Sequence, residues 1–317
     1  MTNHISAQIR QAARELLKSK KVECVIGFKK GTIPMREQIC FARSPEQAEE
    51  LIWSGFCVLN PAKFLIGVEE PTAIVAQGCV TRNIIGLIRE NRVKRENIYI
   101  LGINSPGMLD HRKIAAKFPG REIKETLEHE DKIIVSGNGF KETFHRKLFK
   151  RDNCYTCTHR NPVIYDQMIG EKGPDTGGGN IDNTASPWEK MDYDQRWKAF
   201  TETFKDCIRC YACRDACPLC YCRECFVDNT RPQWCGKTIE EADVHTFHIL
   251  RAFHCAGRCT DCGACESACP VGIKMRRLTS KIEKDIRKMY GYSPGLELDA
   301  RHPLTEFSIN DPEGFIG

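Results

Sequence analysis

The C-terminal half of this chain is organised around the run Cys207-Ile-Arg-Cys-Tyr-Ala-Cys-Arg-Asp-Ala-Cys-Pro218. The same spacing of four cysteines and a following proline returns at residues 259–270. Three thiols separated by two residues can wrap one face of a metal cluster, and the proline fixes the direction of the fourth thiol. We therefore predict that the two runs are the paired metal-binding segments of one module.

The spacing is the one that ferredoxin-type 4Fe–4S clusters use, in which the fourth cysteine of each run binds the other cluster. The predicted ligands are Cys207, Cys210, Cys213 and Cys269 for cluster one, and Cys259, Cys262, Cys265 and Cys217 for cluster two. A structural zinc site would need two Cys-x-x-Cys pairs in a tetrahedral array, a pattern that two four-cysteine runs do not match.

The module that carries these runs is predicted to be helical. The two runs are separated by 41 residues, between Cys217 and Cys259, and a helix is predicted there at about residues 238–256. Compact two-cluster ferredoxins have shorter separations and β-hairpins. Further helices are predicted from Tyr193 and at about residues 274–289. The sequence therefore predicts an α-helical ferredoxin-like domain with two 4Fe–4S clusters.

Cysteine usage and charge limit the classes of function. The chain has 317 residues, 19 cysteines, 41% apolar residues and a formal net charge of +5, which is modest for a nucleic-acid binder. The first ten residues are polar with no apolar stretch behind them, and no apolar run approaches the ~20 residues of a membrane helix. Without an export signal, thiols are expected to stay free or to bind metal. We predict a cytoplasmic protein with no membrane span and no nucleic-acid partner.

Five further cysteines form an upstream Cys-x-x-Cys pair and a group directly after the first run. They are Cys154, Cys157, Cys220, Cys222 and Cys225. Four of these five could hold a third 4Fe–4S cluster; the alternatives are a zinc site built from the same pairs and unligated packing thiols. Cys235 and Cys255 have no partner at ligand spacing and are predicted to be small buried hydrophobic residues. His245 and His248 are expected to be exposed or hydrogen-bonded rather than metal ligands.

The N-terminal half alternates helical and strand patterns. Helices are predicted at residues 6–18, 44–53 and about 80–92, and strands at residues 23–28, 72–76, 97–103 and 131–135. This repetition favours an α/β domain with a mostly parallel sheet covered by helices. The predicted organisation is an α/β domain at 1–150, a Cys-x-x-Cys loop and glycine-rich linker at 151–192, the helical ferredoxin-like domain at 193–290 and an extended tail at 291–317.

The ends of two predicted strands carry small residues that would let backbone amides approach a ligand. Gly78 and Cys79 follow one strand, and Gly102 opens a Gly-Ile-Asn-Ser-Pro-Gly turn at the end of the other. Ligands of open parallel sheets bind beyond such carboxyl ends. There is no G-x-G-x-x-G fingerprint and no phosphate loop, so the common dinucleotide sites are unsupported. These three residues remain candidates for an unusual flavin site.

Several stretches carry a resemblance to a known family. Ala73-Ile-Val-Ala-Gln-Gly-Cys-Val-Thr-Arg82, Arg95-Glu-Asn-Ile-Tyr-Ile-Leu-Gly-Ile103 and Asp152-Asn-Cys-Tyr-Thr-Cys157 resemble the β-subunit family of coenzyme F420 (deazaflavin) hydrogenases and dehydrogenases. The run at Cys207 resembles the cluster region of a ferredoxin-fused branch that accompanies heterodisulfide-reductase-like and formate-dehydrogenase-like complexes. The resemblance implies iron–sulfur electron transfer in a cytoplasmic complex, with FAD and a deazaflavin or nicotinamide donor.

Two features depart from that family. The family typically places its ferredoxin run at the N-terminus, whereas here both runs are C-terminal. Related sequences often carry a cysteine in the turn after the strand at residues 97–103, where this chain has Asn104-Ser105.

Three functions follow from these observations. The first is an iron–sulfur electron-transfer subunit of a multi-subunit oxidoreductase, working with flavoprotein, heterodisulfide-reductase-like, hydrogenase or formate-dehydrogenase-like subunits. The second is a flavin-containing oxidoreductase in its own right, with FAD in the α/β domain. The third belongs to another class, a zinc-stabilised scaffold or adaptor. No general acid–base pair or Ser–His–Asp set is evident, so no catalytic residue is predicted.

Overall fold

Two groups of residues pack separately in this computed structural model. Unit 1 comprises Met1–Thr81 and Asn91–Gly179, and unit 2 comprises Arg82–Glu90 and Asn180–Gly317. The structure describes residues 2–176, 187–306 and 309, with the backbone alone for residues 2 and 3. The triple glycine of the predicted linker, at residues 177–179, lies outside the described residues.

Unit 1 contains a five-stranded sheet with the strand order β2-β1-β3-β4-β8. Its strands are β1 (Cys24–Lys29), β2 (Gln38–Ala42), β3 (Thr72–Ala76), β4 (Ile98–Ile103) and β8 (Gln167–Ile169). The β1–β3, β3–β4 and β4–β8 pairs are parallel, and the β1–β2 pair is antiparallel. The predicted mostly parallel sheet of an α/β unit is confirmed. Unit 1 extends past residue 150, because β8 pairs with β4.

Helices α1 (Thr2–Lys18) and α2 (Gly78–Arg89) form where helical patterns predict them. One face of α1 is apolar, and its side chains are buried in the core with the sheet. The buried side chains of this face are Ile9, Ala12, Ala13, Leu16 and Leu17. Helix α2 starts directly after β3, so the carboxyl end of this fully buried strand leads into the helix N-terminus.

The prediction of a helix at residues 44–53 is wrong. Only a single 3₁₀ turn, Gln47–Glu50, forms there, and Leu51 is extended with φ −67° and ψ 132°. Leu51 is fully buried, and the N–H of Ile52 donates to the carbonyl oxygen of Phe28 in β1 at 2.8 Å. Burial of Leu51 and pairing with β1 therefore override the local helical preference.

The strand predicted at residues 131–135 exists, but its assignment to the parallel sheet is wrong. Strands β5 (Ile123–His129), β6 (Lys132–Gly137) and β7 (Phe140–His145) form a separate antiparallel sheet. Two-residue turns join the strands, and the second turn is Asn138-Gly139 with φ 75° at the glycine. Asn-Gly is a strong hairpin signal, because both central positions of such a turn favour left-handed backbone.

Unit 1 also contains two short helices, α3 (His111–Ala115) and α4 (Asp152–Tyr155).

Unit 2 is helical. Besides residues 82–89 of α2, it contains the helices α5 (Tyr193–Phe204), α6 (Ala212–Asp215), α7 (Glu241–His254), α8 (Ala264–Ala268) and α9 (Arg276–Tyr290). Helix α5 begins with a capping box, in which Asp192 accepts from the N–H of Gln195 at 2.8 Å and Gln195 accepts from the N–H of Asp192 at 3.2 Å. The predicted helical C-terminal region is confirmed, while its ferredoxin-like fold stays a prediction.

The core of unit 2 contains cysteines from both runs. Aromatic and aliphatic side chains from α5, α7 and the residues before α9 pack around Cys213 and Cys269. The largest of these apolar side chains are Phe200, Phe204, Phe247 and Ile273. Among the described residues, no helix combines the length and apolar character needed to cross a membrane.

Candidate metal centre

The two cysteine runs adopt the same backbone conformation at equivalent positions. Arg209 and Tyr211 in the first run have φ of 52° and 60°, and Asp261 and Gly263 in the second run have φ of 57° and 69°. Left-handed backbone is unfavourable for a non-glycine residue and persists only where the surrounding structure enforces it. Each loop leads into a short helix that carries the third thiol of its run, α6 with one and α8 with the other. The two runs are therefore a structural repeat.

Backbone N–H groups point at thiols of both runs. The N–H of Arg209 donates to the Sγ atom of Cys207 at 3.4 Å, and the N–H of Ile273 donates to the Sγ atom of Cys269 at 3.3 Å. Left-handed residues in a short loop orient successive backbone N–H groups so that they line one concave surface. This arrangement is typical of anion and iron–sulfur sites. These loops are thus shaped to stabilise negative charge on sulfur.

The last thiol of the second run lies beside the thiols of the first. Burial raises the pKa of Cys207, and the negative charges of Cys269 and Cys210 raise it further. Burial likewise raises the pKa of Cys213 to about 11, with further contributions from the charges of Cys207, Cys269 and Cys210. Because Coulomb interactions weaken with distance, these four thiols are neighbours. They are the four predicted ligands of cluster one, and their role as ligands stays a prediction.

The last thiol of the first run lies in turn beside the second run. Burial raises the pKa of both Cys259 and Cys265 above the ordinary thiol value, and the charge of Cys262 contributes to both. The charge of Cys217 also raises the pKa of Cys265. The thiols predicted for cluster two therefore influence one another, and both their role as ligands and the exchange of the fourth thiols stay predictions.

Cys217 has two further thiol neighbours. The Sγ atoms of Cys217, Cys220 and Cys255 all lie within 4.8 Å of one another. Hydrogen bonds from Cys220 and then from Cys255 lower the pKa of Cys217 well below its usual value, while the same contact raises the pKa of Cys220 to about 12. Cys255 is buried, as the sequence predicts, but it does have sulfur partners. Spacing alone could not find this contact, because Cys255 approaches Cys217 only through the packing of α7.

His248 contacts the first cysteine run. Its position in the sequence does not predict this contact. Its Nε2 atom lies 3.3 Å from the Sγ atom of Cys207, and its ring stacks on Phe204 with the centroids 4.0 Å apart. Burial lowers the pKa of His248 to about 3, so the imidazole is neutral near pH 7. A neutral imidazole can donate one N–H to sulfur. The expected hydrogen-bonded role of His248 therefore has a specific acceptor.

The other surplus cysteines lie in different places. Cys154 and Cys157 are half-buried in unit 1, where the Sγ atom of Cys154 accepts from the N–H of Met108 at 3.2 Å. In unit 2, Cys222 is exposed and Cys225 is half-buried. The third cluster stays a prediction. Elsewhere in unit 2, Cys235 is buried, in agreement with its predicted packing role, and receives a contact from Arg209 at 3.6 Å.

The residues predicted for a flavin site are covered by the segment at residues 159–165. A Cβ atom at Gly78 would collide with the carbonyl oxygens of His159 and Asn161, and one at Gly102 would lie 2.7 Å from the Cβ atom of Tyr165. The space left by the missing Cβ atoms of these two glycines is therefore occupied by the protein's own residues 159–165. Cys79 is half-buried at the second residue of α2.

A cavity lies one residue beyond Gly102, at the carboxyl ends of β4 and β8. Its volume is about 390 Å³, and its lining includes Trp53, Ile103, Met108 and Ile169. The lining also includes Gln8, whose Oε1 atom is buried without a hydrogen-bond partner among the described residues. Volumes of ~300–1,000 Å³ are usual for small-molecule sites. The flavin-site residues predicted from sequence lie at this edge of the sheet, but sequence reasoning missed the cavity, which α1 and the segment around Trp53 help to form.

The donor set of unit 2 fits iron–sulfur clusters. Soft thiolates are the preferred ligands of iron–sulfur clusters and of zinc, and metal binding displaces the thiol proton that burial otherwise retains. Two repeated loops that direct N–H groups at sulfur match a pair of clusters better than a single tetrahedral ion. The unit also buries the guanidinium of Arg251, which is 5% exposed, beside thiols of both runs.

Comparison with known proteins gives relatives for most of the chain. It is 24% identical over 346 aligned residues to the F420-dependent formate dehydrogenase subunit beta of Methanocaldococcus jannaschii, with 89% of each chain covered. It is 26% identical over 288 residues to the F420-dependent formate dehydrogenase 1 subunit beta of Methanococcus maripaludis, covering 72% of this chain and 74% of the relative.

The chain resembles F420-dependent formate dehydrogenase β-subunits. The family resemblance inferred from residues 73–103, 152–157 and 207–218 is thereby confirmed. No protein-family model matches the chain. A chain of the F420-reducing NiFe hydrogenase complex of Methanosarcina barkeri aligns with a TM-score of 0.38 and 10% identity, over 62% of this chain and 84% of its own length. The similarity to the formate dehydrogenase β-subunits is consistent with an electron-transfer subunit of a redox complex.

Proposed function

We propose that this chain is the iron–sulfur electron-transfer subunit of an F420-dependent oxidoreductase complex. In this proposal, unit 2 holds two 4Fe–4S clusters through the eight thiols of the repeated runs. Unit 1 binds the redox partner, and single electrons pass between a flavin- or metal-bearing partner subunit and an acceptor. The partners are other redox subunits, of which formate-dehydrogenase-like subunits are favoured by the names of the relatives.

One observation carries the proposal. The two runs share both their cysteine spacing and the positions of their left-handed residues, Arg209 and Tyr211 in one and Asp261 and Gly263 in the other. A zinc scaffold has no need for two such loops, each with a fourth thiol supplied by the other run. The shared cysteine spacing and backbone conformation of the two runs instead support two clusters held close together in one module.

The residues around the thiols have defined tasks. A bound 4Fe–4S cluster accepts and releases one electron at a time, at a potential set by hydrogen bonds to sulfur, by net charge and by exposure to solvent. The N–H groups of Arg209 and Ile273, together with the imidazole of His248, place hydrogen bonds on the sulfurs of cluster one. Phe204 excludes water from the same region. Cys210, which is exposed, marks the side of cluster one that is open to solvent.

The decisive experiment is metal analysis of the full chain purified without oxygen. Two clusters predict ~8 iron and ~8 acid-labile sulfide per chain, and a third cluster would bring each value to ~12. The reduced protein should show electron paramagnetic resonance signals of 4Fe–4S clusters that interact magnetically. Zinc without iron or sulfide would overturn the proposal and favour the scaffold function.

A second candidate function is supported by the cavity of unit 1. We propose as the alternative that unit 1 binds a flavin, which makes the chain a flavin-containing oxidoreductase in its own right. The cavity lies where ligands of parallel sheets bind. The buried Oε1 atom of Gln8, which has no partner among the described residues, offers an acceptor for a ligand N–H. Trp53 and Met108 supply the apolar wall that a planar ring would need.

Flavin analysis of the same sample tests this alternative. Bound flavin should give its yellow absorbance and a content of ~1 flavin per chain after gentle anaerobic isolation. Met108→Trp, which fills the cavity, should release the flavin and leave the iron content of unit 2 unchanged. A chain that contains iron but takes up no FAD or FMN, even when these are added in excess, would reject the alternative and leave the electron-transfer function intact.

A further inference from the structure

Arg251 is a buried arginine without a carboxylate partner. Its side chain on α7 is 5% exposed, donates to the carbonyl oxygen of Cys213 at 3.1 Å and contacts the Sδ atom of Met275 at 3.8 Å. Its Nε atom is buried without an acceptor in the described part of the chain. Within residues 2–176, 187–306 and 309, no aspartate or glutamate forms an ion pair with it.

Two other arginines of unit 2 have the carboxylate partners that Arg251 lacks. Arg276 is buried at 4% exposed and pairs with Asp261, and Arg258 pairs with Glu90 at 2.5 Å. A buried cation that has no anionic partner is strongly destabilising, because its hydration is not replaced. The negative charge that compensates Arg251 must therefore come from groups other than carboxylates.

The position of Arg251 on α7 puts it near both cysteine runs. Its guanidinium donates to the carbonyl oxygen of Cys213, and one turn further along the chain the Sγ atom of Cys255 lies within 4.8 Å of that of Cys217. The carbonyl oxygen of Cys255 also accepts from the N–H of Cys259, the first thiol residue of the second run, at 3.0 Å.

Burial by itself lowers the pKa of the Arg251 guanidinium, but thiolate charges raise it well above its usual value. These thiolates belong to Cys217, Cys255, Cys265 and Cys213. Cys213 is a predicted ligand of cluster one, whereas Cys217 and Cys265 are predicted ligands of cluster two. One guanidinium thus lies next to both predicted clusters.

We propose that Arg251 is the shared counter-ion of the two clusters and keeps both of their reduction potentials high. The inference rests on the proposed function. Reduction adds one negative charge to a cluster, and a nearby buried cation stabilises the reduced form more than the oxidised form. Because Arg251 lies beside thiols of both runs, loss of its charge should move the two potentials in the same direction. Arg251 is therefore a positioning residue that acts through its charge rather than a cluster ligand.

The test compares the potentials of both clusters in four versions of the full chain. These are the wild type, Arg251→Gln, Arg251→Lys and the control Arg277→Gln. Arg277 is an exposed arginine of α9, where solvent screens its charge. Iron and sulfide per chain are measured first, and midpoint potentials then come from redox titrations followed by electron paramagnetic resonance.

Arg251→Gln should retain both clusters and shift both potentials to more negative values, while Arg251→Lys and Arg277→Gln stay close to the wild type. If Arg251→Gln cannot hold the clusters but Arg251→Lys can, the requirement for positive charge is supported. Unchanged potentials in Arg251→Gln, a shift of only one cluster, or loss of clusters in both Arg251 variants would each overturn the inference. A wild-type chain without iron would instead overturn the proposed function, so the two failures are distinguishable.

Discussion

The Nε2 atom of His248 lies 3.3 Å from the Sγ atom of Cys207. Burial lowers the pKa of His248 to about 3, so its ring stays neutral around pH 7 and can donate an N–H to the sulfur. The contact joins the middle of α7 to the first thiol of the first run. It is the kind of hydrogen bond by which a protein raises the reduction potential of a cluster.

His248→Phe should lower the potential of cluster one and leave that of cluster two unchanged. The phenyl ring keeps the stacking on Phe204 but removes the donor. If this hydrogen bond favours the reduced state by about 1 kcal/mol, the shift is about −40 mV. A redox titration measures it, with His245→Phe as the matched control on the same helix. A potential that rises on substitution of His248 would contradict this role.

Cys255→Ala should change the reduction potential of cluster two and leave that of cluster one unchanged. Cys255 and Cys220 lie within 4.8 Å of Cys217, which is predicted to bind cluster two. Removal of one S–H donor leaves more negative charge on the Cys217 sulfur, so we expect a more negative potential for cluster two, by a few tens of mV. Cys235→Ala provides the control, since Cys235 is also buried in unit 2 but contacts Arg209. Loss of ~4 iron from Cys255→Ala would instead make Cys255 a cluster ligand.

Arg146→Ala should destabilise unit 1 by about 3–5 kcal/mol, because it leaves the buried carboxylate of Glu128 without its cation. The two side chains are 9% and 8% exposed and meet at 2.8 Å. Glu128 also accepts from the N–H of Gly55 at 2.5 Å, so the pair fixes the segment that follows Trp53 at the cavity. Urea unfolding measures the loss of stability.

The control for this substitution is Lys113→Ala, which breaks an ion pair with Asp152 on the surface of unit 1. The Asp152 side chain is 54% exposed, so solvent screens the pair. Its loss should cost less than about 1 kcal/mol. Equal losses of stability in Arg146→Ala and Lys113→Ala would show that burial adds nothing to the Arg146–Glu128 pair and would contradict the prediction.

Protonation of His111 should make unit 1 less stable as the pH falls. Burial lowers its pKa from 6.5 to about 4, with a further contribution from the positive charge of Arg36. Between these two values the unfolded chain binds a proton that the folded chain does not, so stability is present above about pH 6.5 and is lost towards pH 4. In His111→Asn this dependence should disappear. Thermal unfolding of both proteins from pH 7 to pH 4 provides the comparison, and equal slopes would count against the prediction.

The cysteine spacing predicts the thiol sets because ligand geometry is local. Three thiols in a short loop depend on few residues, and the proline after the fourth limits its direction, so Cys207 and Cys259 could be assigned from sequence alone to equivalent positions in two repeated loops. The strands at residues 72–76 and 98–103 could be predicted for a similar reason, since continuous apolar runs bounded by turns favour buried strands.

The features that sequence missed depend on contacts between distant residues. Leu51 is extended because it is buried beside β1, although its neighbours favour a helix. Strand β6 pairs with β5 and β7 rather than with the parallel sheet, for which the Asn138-Gly139 turn was the available signal. The contact of Cys255 with Cys217 and the position of Arg251 between the runs arise from the packing of α7, and no spacing rule contains them.

The exchange of the fourth thiols between the runs is tested most directly by iron content in two double variants. Cys210→Ala/Cys269→Ala removes two ligands of cluster one, and Cys210→Ala/Cys217→Ala removes one ligand from each cluster. The exchange predicts ~4 iron per chain in the first variant and almost none in the second. The opposite result, almost no iron in the first and ~4 in the second, would show that each run binds its own cluster and would contradict the account.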